Sequence, residues 1–355
     1  MWGSRVTDRE NCRTMAALLP TARKGPAMAA DVTSKRFRDT EIVFANGVEG
    51  RPIEVPSASP SSYFQVLNAP AEMPRLNVDG QLFLPRGAKA GAKLPLVMVV
   101  PGSLGVAPSH VTHAETLNAE GFATFVLDPF GPRGITSTVA NQTQYSWAAS
   151  AYDVLAAWKT LSALPEIDGS RIGAQGHSRG GGAVLTAATR AFADGVVGKG
   201  KGLAAILPAY PWSGHQFLDP SVGATRVHVL MGDRDEWCSP MQVQGHLQAI
   251  RLTGGRATMR LFGGAHHSFD RGTPIVNIAE ASVSPAAPTS YIDARGAFVH
   301  PLTGAPDPQL TDRDMAIHGI KAGYGKKGAH IGSQEGDAAN FRADMVAFWK
   351  DALGV

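Results

Sequence analysis

Residues 94–100 read Leu-Pro-Leu-Val-Met-Val-Val, an apolar run without polar alternation and too short for a buried helix. A strand of that composition must be covered on both faces, which is the situation of an inner strand in a parallel sheet flanked by helices. The pattern repeats along the chain. A second apolar strand, 123–127, follows a helical stretch at 109–119 for which Ser109 is the candidate N-cap. Trp147, Ala151, Val154, Leu155, Trp158 and Leu161 then recur at helical spacing, with Pro165 beyond their end. Further strands are expected at 171–175, 204–207, 227–231 and 258–262, and helices at 179–192 and 337–353. Residues 40–44 and 80–85 read as edge strands. Strands alternating with helices of these lengths build βαβ units, so the fold class is α/β, a mostly parallel central sheet with helices on both faces.

The expected domain plan is a leader over residues 1–39 and one domain over 40–355. The longest apolar stretch of the leader, Met15–Leu19, is too short for the h-region of a secretion signal, and Met28 offers an alternative start. Residues 272–335 stand apart: they are rich in Pro, Gly and Ala and weakly periodic. A segment of that kind inside a compact domain is either functional or irregular surface chain. It begins just after a candidate catalytic histidine, so a lid is one expectation and a surface excursion or subunit contact is the other. The oligomeric state is left open, a homodimer included.

Charge and cysteine content exclude several classes. The 33 basic and 30 acidic residues are dispersed, and no basic stripe marks a nucleic-acid partner. The cysteines, Cys12 and Cys238, do not make a disulfide framework and read as free thiols. No run approaches the roughly 20 apolar residues of a membrane span. The expectation is a cytoplasmic enzyme with no membrane partner.

The chemistry is carried by three short segments, each just past a strand. Gly176-His177-Ser178-Arg179-Gly180 lies between a strand and a helix, the setting in which G-x-S-x-G exposes a serine hydroxyl on a tight turn. The helix beginning at Arg179 directs its first N–H groups at developing negative charge. A serine hydroxyl needs a base, and the base needs a carboxylate to orient it. Downstream, Gly232-Asp233-Arg234-Asp235 and Ala265-His266-His267-Ser268-Phe269 supply them in the order serine, acid, histidine. Residue chemistry alone leaves Asp233 and Asp235, and His266 and His267, as alternatives. The turn Pro101-Gly102-Ser103-Leu104-Gly105 after strand 94–100 offers the Ser103 N–H as one oxyanion donor, and the Arg179 N–H is the other. Tyr210, Trp212 and Trp237 follow strand ends and are candidates for the substrate pocket. No H-E-x-x-H, C-x-x-C or P-loop pattern is present in the sequence, and no metal or organic cofactor is expected.

These residues resemble the dienelactone hydrolase-like α/β-hydrolases. The similarity runs from about Arg75 to Phe269 and includes the last helix. It rests on residues 101–106, on Asp128-Pro-Phe-Gly-Pro-Arg-Gly134, on the elbow 176–180, on Gly232-Asp-Arg-Asp-Glu-Trp237 and on 265–269. The resemblance implies the α/β-hydrolase fold, Asp235 as the acid and His267 as the base. It also implies that Arg271 grips a substrate carboxylate, with Arg133 as its partner across the sheet edge. The chain departs from the enzymes that name the family in using Ser178 where they use cysteine, in Pro101 where many relatives carry a histidine, and in the length of 272–335. The expected activity is hydrolysis of a small-molecule carboxylic ester or lactone, carboxylate-bearing if the two arginines act as the resemblance implies. A small aminopeptidase of the prolyl-oligopeptidase type and a non-catalytic binding protein on the same scaffold are the alternatives.

Overall fold

The computed structural model describes residues 36–89 and 91–355, so the expectations for residues 1–35, Cys12 included, lie outside the described residues. The first strand, β1 (Arg51–Ala58), precedes a short helix α1 (Tyr63–Asn68), and β2 (Arg75–Phe83) pairs antiparallel with β1. Next come β3 (Leu94–Val100), α2 (Pro108–Ala119), β4 (Ala123–Asp128), α3 (Trp147–Ser162), β5 (Ile167–His177), α4 (Arg179–Ala188) and α5 (Arg190–Val197). The chain continues through β6 (Ala205–Ala209), β7 (His215–Phe217), β8 (Arg226–Gly232), α6 (Pro240–Leu252) and β9 (Ala257–Phe262). Eight of these strands form one sheet in the order β1-β2-β4-β3-β5-β6-β8-β9, parallel from β4 to β9 with β1 and β2 antiparallel at one edge. This is the mainly parallel sheet of an α/β fold expected from the apolar runs, and its topology fits the α/β-hydrolase fold that the resemblance implies. Strand β3, whose residues Pro95 to Val100 are all buried, lies between β4 and β5 as its composition requires.

Helices pack on both faces. The closing helix α8 (Asp337–Leu353) buries Phe341, Met345, Trp349 and Leu353. Its Trp349 indole N–H donates to Gln175 Oε1 of β5 at 3.0 Å, which satisfies a polar atom at the bottom of the core. On that same face α8 meets α2 through Phe341 and His113, 5.2 Å between ring centres.

The structure corrects several boundaries. Residues 40–44 are not a strand: Val43 and Glu49 make a single bridge around a tight turn, and Phe44 stacks on Phe83. The edge strand is β1, whose Pro52 and Pro56 hide it from a propensity reading. Prolines are tolerated there because an edge strand leaves some N–H positions unpaired. The N-cap of α2 is Ala107, with Pro108 rather than Ser109 opening the helix, and the Ala107 N–H donates to His110 Nδ1. The helix expected at 179–192 breaks at Thr189, which is extended.

Residues 272–335 are regular where irregular chain was expected. They hold β10 (Val276–Val283), β11 (Ser290–Ile292), β12 (Phe298–Val299), β13 (Pro306–Asp307), α7 (Asp312–Lys321) and β14 (Lys326–Ile331). Strands β10 and β14 pair antiparallel, and β11 runs parallel to β7, so the segment is hydrogen-bonded to the body of the fold. No helix among the described residues is long and apolar enough to cross a membrane.

Candidate active site

Every candidate catalytic residue sits past the carboxyl end of a parallel strand, the edge at which open α/β sheets bind ligands. Ser178 joins β5 to α4 with φ 55°, a left-handed backbone that a non-glycine residue adopts only when its surroundings impose it. The imposition comes from glycine. A Cβ on Gly176 would fall 2.1 Å from the Gly180 carbonyl oxygen, so only glycine lets helix and strand approach this closely. The turn lifts Ser178 Oγ to 2.9 Å from His267 Nε2, and His267 Nδ1 lies 2.7 Å from Asp235 Oδ2.

Of the two aspartates, Asp235 is the one hydrogen-bonded to His267. The Asp235 carboxylate is buried, and its other oxygen accepts the backbone N–H groups of Trp237 and Cys238 at 2.8 and 2.9 Å. Asp233 is exposed and accepts the Gly264 N–H. His266 turns away from Ser178 and packs against His330. The His267 ring is held in place by Trp237, stacked at 5.2 Å, and by the edge of Tyr210 at 4.7 Å. Cys238 is also buried here, beside Ser178. Burial raises its thiol well above the ordinary range and keeps it protonated.

The turn after β3 reaches Ser178: an ideal Cβ on Gly102 would lie 3.1 Å from Ser178 Cβ. The N–H of Ser103, next along this turn, and that of Arg179, the first residue of α4, make no hydrogen bond among the described residues. Ser103 is fixed in turn. Its carbonyl accepts the Thr138 N–H at 2.7 Å, and its hydroxyl donates to Gln142 Oε1 at 3.0 Å. The Arg179 side chain, fully buried, crosses under this loop and donates to the carbonyls of Gln142 and Tyr145 and to Ser150 Oγ. Among the described residues it has no carboxylate partner, and burial lowers its pKa to about 10. The Trp147 ring lies 3.8 Å from its guanidinium carbon and supplies a cation–π contact.

The candidate pocket residues divide. Trp212 and Trp237 line a cavity of about 670 Å³ that also contains Ser178, and Trp147 joins them. Val283, Leu302, Met315 and Ile320, all from the segment 272–335, supply its outer wall. Tyr210, Arg133 and Arg271 are not among the lining residues. Tyr210 donates its hydroxyl to Asp270 at 2.7 Å instead. Arg133 is committed to the protein: its guanidinium spans both oxygens of the buried Asp153 and also donates to the carbonyls of Ala58 and Pro129. A substrate carboxylate would have to displace that ion pair, so the expected role of Arg133 does not fit.

Two features had no sequence signal. Behind the elbow lies a buried group in which Asp270 accepts from Tyr210 and pairs with His113 at 2.7 Å, with His177 stacked on His113. Burial opposes the Asp270 charge, but the His113 hydrogen bond and the neighbouring imidazoles outweigh it and hold the carboxyl well below its ordinary range. Burial lowers His177 from 6.5 to about 3. Although His113, His177 and Asp270 are close enough to suggest ligands, the two imidazole planes are 6° apart. Their lone pairs lie in parallel planes and do not meet at one ion. The group is a rigid polar support beneath Ser178 and Tyr210.

The second feature is Asp312, the first residue of α7. Its carboxylate accepts the Ala148 N–H at 2.9 Å and so joins the segment 272–335 to the N-terminus of α3. Burial raises it from 3.8 to about 7, with the Ala148 and Trp147 N–H groups pulling the other way. A carboxyl with a raised folded pKa keeps its proton in the folded state over a range where the unfolded chain loses it, so stability falls as pH rises from about 4 to 7. Asp312→Asn is therefore expected to flatten the decline of Tm across that window by a few degrees relative to wild type. Equal slopes in parallel thermal melts at pH 4.5 and 8 would count against the burial argument.

The sequence profile of the dienelactone hydrolase family matches residues 78–288. No curated protein matches the chain in sequence. Among solved structures, a dienelactone hydrolase-like promiscuous phosphotriesterase from metagenomic libraries is 17% identical with a TM-score of 0.51, over 86% of this chain and 99% of that one. A putative dienelactone hydrolase from Klebsiella pneumoniae is 19% identical with a TM-score of 0.45, over 62% of this chain and 88% of that one. With the profile covering more than half of its length, the chain belongs to the dienelactone hydrolase family.

Proposed function

We propose that this member of a hydrolase family is a serine enzyme that cleaves a carboxylic ester or lactone through an acyl-enzyme on Ser178. The observation that carries the reading is the relay of 2.9 Å from Ser178 Oγ to His267 Nε2 and 2.7 Å from His267 Nδ1 to Asp235. His267 takes the hydroxyl proton as Oγ attacks the carbonyl carbon, and Asp235 fixes the tautomer and stabilises the imidazolium. The N–H groups of Ser103 and Arg179 receive the oxyanion. Collapse of the tetrahedral intermediate breaks the ester C–O bond, and His267 passes its proton to the leaving alcohol. Water, deprotonated by the same imidazole, then attacks the acyl carbon; the bond from that carbon to Ser178 Oγ breaks, His267 returns the proton to Oγ, and the carboxylic acid leaves.

The cavity suits an apolar acyl or alcohol portion, given its tryptophans and the aliphatic wall opposite. Arg133 is bound to Asp153, and among the described residues no arginine lines the cavity to meet a substrate carboxylate.

The test combines turnover with covalent labelling. Wild type is expected to hydrolyse short p-nitrophenyl esters faster than the matching p-nitroanilides. A fluorophosphonate is expected to label it once, at the peptide containing Ser178. Preferential anilide turnover would move the reading to a peptidase. No turnover with no label would leave the binding-protein alternative.

A further inference from the structure

Gln142 occupies an unusual position in this site. Three donors point at one atom of its side chain: Ser103 Oγ at 3.0 Å, Thr138 Oγ1 at 3.3 Å and an Arg179 nitrogen at 3.3 Å. The arginine settles which end of the amide is which. A guanidinium has donors and no acceptor, so the atom it faces is the carbonyl oxygen, and the –NH₂ group must point the other way. That –NH₂ makes no hydrogen bond among the described residues, and Gln142 lines the cavity together with Ser103 and Ser178. Its backbone is held too, because Arg179 donates to the Gln142 carbonyl at 2.5 Å. A free amide donor is thus held through its oxygen by Ser103, whose own N–H makes no hydrogen bond among the described residues and which lines the same cavity as Ser178.

We propose that Gln142 Nε2 donates to the oxygen of the scissile carbonyl as it becomes an oxyanion, a third donor beside the backbone N–H groups of Ser103 and Arg179. The proposal rests on the Ser178 reading above. Donors fixed before the charge develops need no reorganisation when it forms, so they act on the transition state more than on the bound ester. The Arg179 guanidinium contributes through Gln142: by donating to the amide oxygen it polarises the amide and strengthens its N–H as a donor.

The discriminating variant is Gln142→Glu. A carboxylate keeps an oxygen for Ser103, Thr138 and Arg179, so the loop stays tied, but it has no proton to donate at neutral pH. Gln142→Met, of similar length, removes donor and acceptor without adding charge. Each is assayed with p-nitrophenyl acetate at pH 8 beside wild type. Losing one oxyanion donor costs on the order of 10²–10³ in kcat. Both variants are expected to lose at least about tenfold in kcat with KM changed less than threefold. Wild-type kcat in Gln142→Glu would assign Gln142 the merely structural task of holding Ser103, and the proposal would fail. So would wild-type kcat in Gln142→Met, or a rise in KM with kcat intact. A wild-type enzyme that turns over no ester would instead sink the Ser178 reading itself.

Discussion

Ser178→Ala is expected to lower kcat/KM for p-nitrophenyl acetate by about 10⁴-fold or more, roughly 5.5 kcal/mol of transition-state stabilisation. The reason is that the two flanking groups act only through the hydroxyl. His267 has no proton to take once Oγ is gone, and Asp235 then orients an idle base. The donors of Ser103 and Arg179 remain, so a residual rate from oxyanion binding alone is expected to survive. Folding should be spared: the side chain's contribution to the site is one hydrogen bond to His267, and alanine meets the same backbone requirement at φ 55° that serine already meets. Activity above a tenth of wild type, in a variant with an unchanged melting curve, would remove Ser178 from the chemistry.

Gly176→Ala should be the opposite kind of change, small on paper and destructive to the fold. The added methyl would stand 2.1 Å from the Gly180 oxygen, 2.4 Å from the Gly180 carbonyl carbon and 2.8 Å from the Gly181 nitrogen. All three are backbone atoms, so no rotamer change relieves the clash. Either α4 must retreat from β5, or β5 must shift against Val100, with which Gly176 is paired. The expected loss is more than about 3 kcal/mol in urea denaturation, with activity falling alongside it because the elbow angle sets the Ser178 position. An unchanged denaturation midpoint with normal turnover would mean that the close approach of helix to strand is not required.

Much of the site was legible because of where its residues fall. Ser178, Asp235 and His267 each come just past a strand that is buried or partly buried, and strands of a parallel sheet all present their carboxyl ends at one edge. Sequence order and sheet direction together bring them near one another before any distance is known. Choosing Asp235 over Asp233 needed the family pattern, and the structure adds why: the chain turns so that two N–H groups face the Asp235 carboxylate. Arg133 shows the limit of this logic, because an arginine after a strand end looks the same whether its carboxylate comes from a substrate or from the protein. Here Asp153, on a helix packed beneath, was already waiting. The Asp270 group was illegible for a plainer reason. His113 and Asp270 are 157 residues apart, and only the meeting of α2 with the loop after His267 brings them together. The strands of the segment 272–335 are two to eight residues long and take their partners from one another and from β7, so local composition could not reveal them.

The two ends of that segment meet beside His267. The Ser333 N–H donates to the Thr273 carbonyl at 2.7 Å, and the Gly332 N–H to the His267 carbonyl at 3.0 Å. Neighbouring ends are what make an excursion look like a removable cassette, open to exchange between relatives or to shortening in the laboratory. This cassette has a boundary that its ends do not mark. Excision at 272 and 335 would strip the His267 carbonyl of its partner and free the backbone that aims the imidazole. A graft that keeps β10 and β14 and replaces only 284–325 would leave that hinge pin in place while changing the far wall of the cavity. Loop exchange within this frame is therefore a route to new substrate range, and the splice sites, more than the inserted sequence, decide whether the enzyme survives it.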